Sequence, residues 1–167
     1  MTYKFRSGII LKLLLSLVML AWFTQAMALS RAEAVSILAS PDYGVLAPDD
    51  FTKSISKDNN PVYHALRMRS KGVNATITGA PESVDEISML LVFDTSNTSR
   101  LFSYMSHVAT AIFPDWSGAT DWVTDTLTRL NENGGGEDAY ESSGKRVGVR
   151  VMPMGNKLGV SLSLTVK

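Results

Sequence analysis

Four arginines are spaced so that they could act together. Arg67 and Arg69 are two residues apart and Arg146 and Arg150 four apart, and an even step along a β-strand sends both members of a pair to the same side of the pleat. Tyr63 is in phase with the first pair. Guanidinium groups brought to one wet sheet surface would hold an anionic ligand or partner, because each presents a fork of donors to a carboxylate or phosphate. Tyr63, Arg67, Arg69, Arg146 and Arg150 are therefore the candidate ligand-binding residues. The simpler role for each is that of an exposed strand arginine paired with a neighbouring acid.

The other chemistry-bearing residues form no constellation. The chain has no cysteine and two histidines, His64 and His107, with no H-E-x-x-H spacing to seed a metal site. His64 shares strand parity with Val62, Leu66 and Met68 and reads as a core or cross-strand histidine. His107 lies beside an apolar helical stripe. Asp121 and Asp125 stand one helical turn apart, which suits a solvated helix face. Ser54 to Lys57 and Ser142 to Lys145 match S-x-x-K, yet the S-D-N and K-T-G elements that complete that active site are missing. No G-x-S-x-G elbow occurs, and Gly134-Gly135-Gly136 is followed by Glu137-Asp138 rather than by the lysine of a phosphate-binding loop. Asn74-Ala75-Thr76 and Asn97-Thr98-Ser99 are sequons of the kind chance supplies. No catalytic residue, metal or cofactor is indicated.

The elements that must position these residues follow from periodicity. Ser30 with Glu33 forms a capping box ahead of a short helix that Pro41 stops. Residues 41–61, with three prolines and a polar run, read as an irregular surface connection. Strands are expected over 62–69, with Val62, His64, Leu66 and Met68 on the buried side, over Val73 to Thr78, and over Ile87 to Phe93, the last apolar enough to be buried on both faces. Helical spacing begins at Asn97, where Leu101, Met105, Val108 and Ile112 form one stripe up to Pro114. A second long helix, capped by Asp115 or Ser117, buries Ala119, Trp122, Val123, Thr126, Leu127 and Leu130. The glycine run then ends it. Val147, Val149 and Val151, then Leu158 to Val166, alternate as two final strands. The expected order is α-β-β-β-α-α-β-β: an α+β fold in which two long helices pack on one face of an antiparallel sheet of about five strands.

The first 28 residues have a separate purpose. Lys4, Arg6 and Lys12 precede an apolar run from Leu13 to Phe23, and Ala26-Met27-Ala28 supplies the small residues that signal peptidase accepts. Residues 1–28 are thus expected to be a cleavable signal peptide and 29–167 a single globular domain. A retained anchor would place Lys12 in hydrocarbon, where a lysine is costly. Cleavage leaves thirteen basic groups against 16 acidic ones. That balance lacks the basic excess of a nucleic-acid binder. An exported domain without cysteine suits the bacterial periplasm, or another secreted setting, in which packing alone supplies stability.

The expected function is a periplasmic non-enzymatic binding or accessory domain for an anionic ligand or protein partner of the cell envelope, with no membrane span after cleavage. The alternatives are a small hydrolase using a serine or carboxylate of the 134–145 segment, and a subunit of an envelope assembly. Processing is checked by N-terminal sequencing of protein from the periplasmic fraction, which is expected to begin at Leu29; full-length chain recovered from the inner membrane would refute cleavage.

Overall fold

The computed structural model describes residues 28–55, 61–67, 72–94, 96–142 and 144–166. Ser30 opens the first helix, α1 (Arg31–Leu38), through the expected reciprocal cap: its side chain accepts from the Glu33 backbone, and the Glu33 carboxylate accepts from the Ser30 backbone at 2.9 Å. The Ser30 hydroxyl, which donates to that carboxylate at 2.6 Å, and the Ser30 backbone N–H together hold the Glu33 carboxyl below its ordinary value. A 3-10 turn at Pro48–Asp50 leads into β1 (Phe51–Ile55), followed by β2 (Pro61–Arg67), β3 (Val73–Ala80) and β4 (Ser83–Phe93). Two helices, α2 (Thr98–Ile112) and α3 (Ala119–Glu132), precede β5 (Gly136–Ser142), β6 (Lys145–Met154) and β7 (Lys157–Val166).

All seven strands join one sheet in the order β1-β2-β3-β4-β7-β6-β5, and every adjacent pair is antiparallel. The α+β class with an antiparallel sheet agrees with the sequence. The strand count is seven rather than five, and the order is α-β-β-β-β-α-α-β-β-β. Both additional strands, β1 and β5, lie at the edges of the sheet. Their sequences are polar and show little alternation because an edge strand has one neighbour and little to bury. The 41–61 connection is likewise more than surface chain: Val45 and Leu46 are buried, and Pro61 starts β2, a strand position that needs no ladder N–H.

The core is built on register. Three apolar rows run straight across the four central strands: Ile77, Ile87, Leu164 and Val147; Ala75, Met89, Leu162 and Val149; Val73, Leu91, Val160 and Val151. All twelve are buried. The helices cover this face, and the expected stripe Leu101, Met105, Val108 and Ile112 of α2 is buried against it, as are Ala119, Val123, Thr126, Leu127 and Leu130 of α3. Trp122 is only half-buried. Strand β4 is dry on the helix side alone, since Ser88, Leu90 and Val92 on its other side are half-buried. Gly118, not Asp115 or Ser117, occupies the α3 N-cap position.

The α1 and α2 helices are tied by one buried polar contact, in which the Tyr104 hydroxyl donates to the Leu38 carbonyl at 2.7 Å. Burial raises the Tyr104 phenol above its ordinary value, so it stays a donor. At the start of α2, Asn97 accepts from the Asp94 backbone at 2.9 Å and donates to the Val92 carbonyl at 3.1 Å, which locks the strand-to-helix turn. Hydrogen bonds from Ser96 hold the Asp94 carboxyl below its ordinary value.

Parity in β2 is the reverse of the sequence expectation. Tyr63 and Ala65 pair with the core residues Ile77 and Ala75, whereas Leu66 is 67% exposed on the opposite side with Val62 and His64. Met68 lies outside the described residues. Bulky apolar residues at 62 and 66 suggest a core face, but the register with β3 puts Tyr63 and Ala65 in phase with the apolar rows, where Ala65 is fully buried. Replacing Leu101, fully buried at the N-terminal end of the α2 stripe, by Ala is expected to cost about 2 to 5 kcal/mol in chemical denaturation; a loss below about 0.5 kcal/mol would mean that the stripe does not face the sheet.

Candidate functional site

The face of the sheet opposite the helices mixes small and polar side chains with Val62, Leu66, Leu90 and Val92. One register row reads Thr52, His64, Thr76, Ser88, Ser163, Gly148 and Ala139 across all seven strands. On this face Arg146 and Arg150 of β6 lie about 14 Å apart along the strand, one on each side of Gly148. Ser163 and Ser161 of β7 stand in register with Gly148 and Arg150.

Gly148 leaves room for its neighbours: a Cβ there would come within 2.7 Å of the Ser163 hydroxyl and 3.4 Å of an Arg146 guanidinium nitrogen, so that those side-chain ends would have to turn aside. The missing side chain leaves a concavity of about 370 Å³ lined by Arg146, Gly148, Arg150, Ser161, Ser163 and Glu137. Both guanidinium groups carry cross-strand acids, Arg150 with Glu137 at 2.7 Å and Arg146 with Glu141 at 3.1 Å. These four side chains are each at least half exposed, so the pairs hold the arginines in place weakly and can be displaced by a competing anion.

Of the sequence candidates that the structure describes, Arg146 and Arg150 come together and Tyr63 stands apart from them. Tyr63 lies on the helix side, where the Arg31 guanidinium sits 3.9 Å over its ring and donates to the Tyr63 hydroxyl and the Gly79 carbonyl, each at 3.0 Å. Arg67 pairs through its backbone with Val73, in the same register phase as Tyr63 and Ala65. Arg69 lies outside the described residues. Between β2 and β6 stand β3, β4 and β7, so the two strands are about 19 Å apart. Opposite phase and that separation set position 67 apart from Arg146 and Arg150. Among the described side chains, Arg146 and Arg150 share a surface.

His64 is held between two hydroxyls on the open face, with Nε2 2.7 Å from Ser54 and Nδ1 3.3 Å from Thr76. A hydroxyl and an imidazole in contact resemble a nucleophile and its base, but the orienting position on Nδ1 is taken by a threonine in place of a carboxylate. The acids of the 134–145 segment are engaged too: Glu137 and Glu141 hold arginines, and Asp138 pairs with Arg129 of α3. Asp121 and Asp125 are exposed on α3. Among the described residues no three His, Asp or Glu side chains converge as a metal site would require.

A second feature escaped the sequence entirely. Trp116 stacks on Tyr140 with ring centroids 3.8 Å apart and planes 6° from parallel, and Phe113 and Trp122 pack around Trp116 at 5.9 and 5.5 Å. Lys145 reaches this cluster on the helix side, 5.7 Å from the Phe113 ring. Tyr140 became visible as a partner only once β5 was recognised as a strand pairing with β6. His107 contacts Tyr43 at 4.9 Å, and its Nε2 is buried without a hydrogen-bond partner.

The fold is an α+β domain whose antiparallel sheet is covered by helices on one face and open on the other. Compared with known proteins, the chain matches no family model, and no curated protein or solved structure matches it. No helix among the described residues is long and apolar enough to cross a membrane. Replacing Arg150 by Ser is expected to change stability by less than about 1 kcal/mol in thermal or chemical denaturation, because its ion pair is exposed; a larger loss would make Arg150 a structural residue and remove it from the site.

Proposed function

We propose that the protein is an exported, non-enzymatic binding domain of the cell envelope that takes an anionic group on the open sheet face between Arg146 and Arg150. One observation carries this reading: two arginines of one strand flank a glycine notch, with the hydroxyls of Ser161 and Ser163 beside it. An anion entering the notch exchanges weak, solvent-screened contacts to Glu137 and Glu141 for bonds to both guanidinium groups and the serine hydroxyls. The glutamates then act as internal competitors that hold the arginines apart and extended until ligand arrives.

A second reading, a subunit of an envelope assembly, rests on the other end of the sheet. Ile55 and Leu66 are each 67% exposed there, and a concavity of about 760 Å³ lined by Val35, Pro41, Pro48 and Phe51 lies beside α1.

Titration calorimetry with tripolyphosphate at low salt separates these readings. The double variant Arg146→Ser, Arg150→Ser is expected to weaken binding at least about tenfold with little change in thermal midpoint. Glu137→Gln with Glu141→Gln is expected to strengthen it, since the competing carboxylates are gone. Binding that is indifferent to both double variants would overturn the assignment.

A further inference from the structure

Lys145 differs from the other cations around β5. Arg129, Arg146 and Arg150 are each paired with an acid, whereas among the described residues no carboxylate forms an ion pair with Lys145. Its ammonium lies 3.4 Å from the Ile112 carbonyl and faces the Phe113 ring. The side chain is half-buried on the helix side of the sheet, away from the open face that holds Arg146 and Arg150. A cation in partial burial with one long hydrogen bond and a ring for company retains most of its capacity for an anion.

The space in front of it is shaped. A concavity of about 180 Å³, the size of a single six-membered ring with its substituents, is walled by Phe113, Pro114, Trp116 and Tyr140 and rimmed by Asp115, Ser142 and Lys145. The stacked Trp116 and Tyr140 present a rigid apolar wall, since each ring restrains the other. Around it stand a carboxylate, a hydroxyl and an ammonium. A flat aromatic ligand would cover the wall but leave Asp115 and Ser142 desolvated and unpaired, which costs free energy. A pyranose matches both halves, because its C–H face packs on an aromatic ring while its hydroxyls reach the rim. The unpaired ammonium adds a preference for a sugar that carries a carboxylate.

We propose that this slot is a second binding site, independent of the arginine notch, for an acidic sugar unit such as a uronic acid within a glycan. Tyr140 and Lys145 come from paired strands, and Phe113 and Trp116 from the connection between α2 and α3, so the slot is assembled where the sheet edge meets the helices. The carboxylate is held by Lys145, the ring lies against the aromatic wall, and hydroxyls donate to Asp115 and exchange hydrogen bonds with Ser142.

The test uses the domain from Leu29 onward, which contains two tryptophans, Trp116 and Trp122, both in or beside the slot. Their fluorescence is followed on titration with trigalacturonate, with neutral maltotriose and with benzoate. Saturable change with trigalacturonate at least about tenfold tighter than with maltotriose is expected. Lys145→Met is expected to abolish that difference and Lys145→Arg to keep it, while Arg146→Ser with Arg150→Ser leaves it unchanged. No saturable change up to about 10 mM, weaker than the range of useful small-ligand affinity, would overturn the proposal. So would equal affinity for the neutral and acidic sugars, or tighter binding of benzoate. A trigalacturonate signal lost in the arginine variant would assign the ligand to the notch and likewise refute a separate site.

Discussion

The two-residue period of the central strands is the constraint on which the rest of the structure depends. Three apolar rows, each four strands wide, alternate with rows of mostly serine, threonine, asparagine, arginine and glutamate, with Leu90 and Gly148 among them. Helices can cover only the apolar side, because burying the hydroxyl rows would require a partner for every polar group. One face is thereby dry and packed under α1, α2 and α3, and the other is left to water. A slip of one residue in any central strand would exchange the two faces and is excluded by the same arithmetic.

Charge on the open face follows the ladder. Arg146 and Arg150 meet Glu141 and Glu137 directly across the β5–β6 pair, so the arginine surface is neutral overall and each cation is held in place. Exposed pairs of this kind contribute little to stability. Their effect is on geometry, since they keep two guanidinium groups extended on either side of Gly148. On the dry face the arrangement differs. Arg129 and Asp138 bridge α3 to β5, Arg31 is seated on Tyr63, and Lys145 is left facing aromatic rings.

The edges show how such a sheet avoids pairing with another copy. β1 is short and mostly exposed and carries Lys53, and β5 carries Glu137, Asp138 and Glu141 within seven residues. Charges at an edge disfavour the addition of a further strand. The same polar composition hid both strands from a reading by periodicity, and with them the aromatic stack that depends on Tyr140.

Local chemistry was legible in the sequence wherever the signal was local. The capping box at Ser30, the α2 stripe ending at Pro114, the α3 stripe, the glycines after Glu132 and the alternation of β7 all lie within a few residues of the features they determine. The α+β class followed from their order. What tertiary structure decided was which residues meet across distance. The side on which Tyr63 and Leu66 stand depends on the register in which β2 pairs with β3. The separation of Arg67 from Arg146 depends on three strands inserted between theirs. The slot at Lys145 depends on β5 being a strand. Parity within a strand is set by the pleat and can be counted along the chain, but the order of strands and the choice of covered face are set by the packing of helices against the whole sheet. That packing is a property of all the rows together, which no single segment carries.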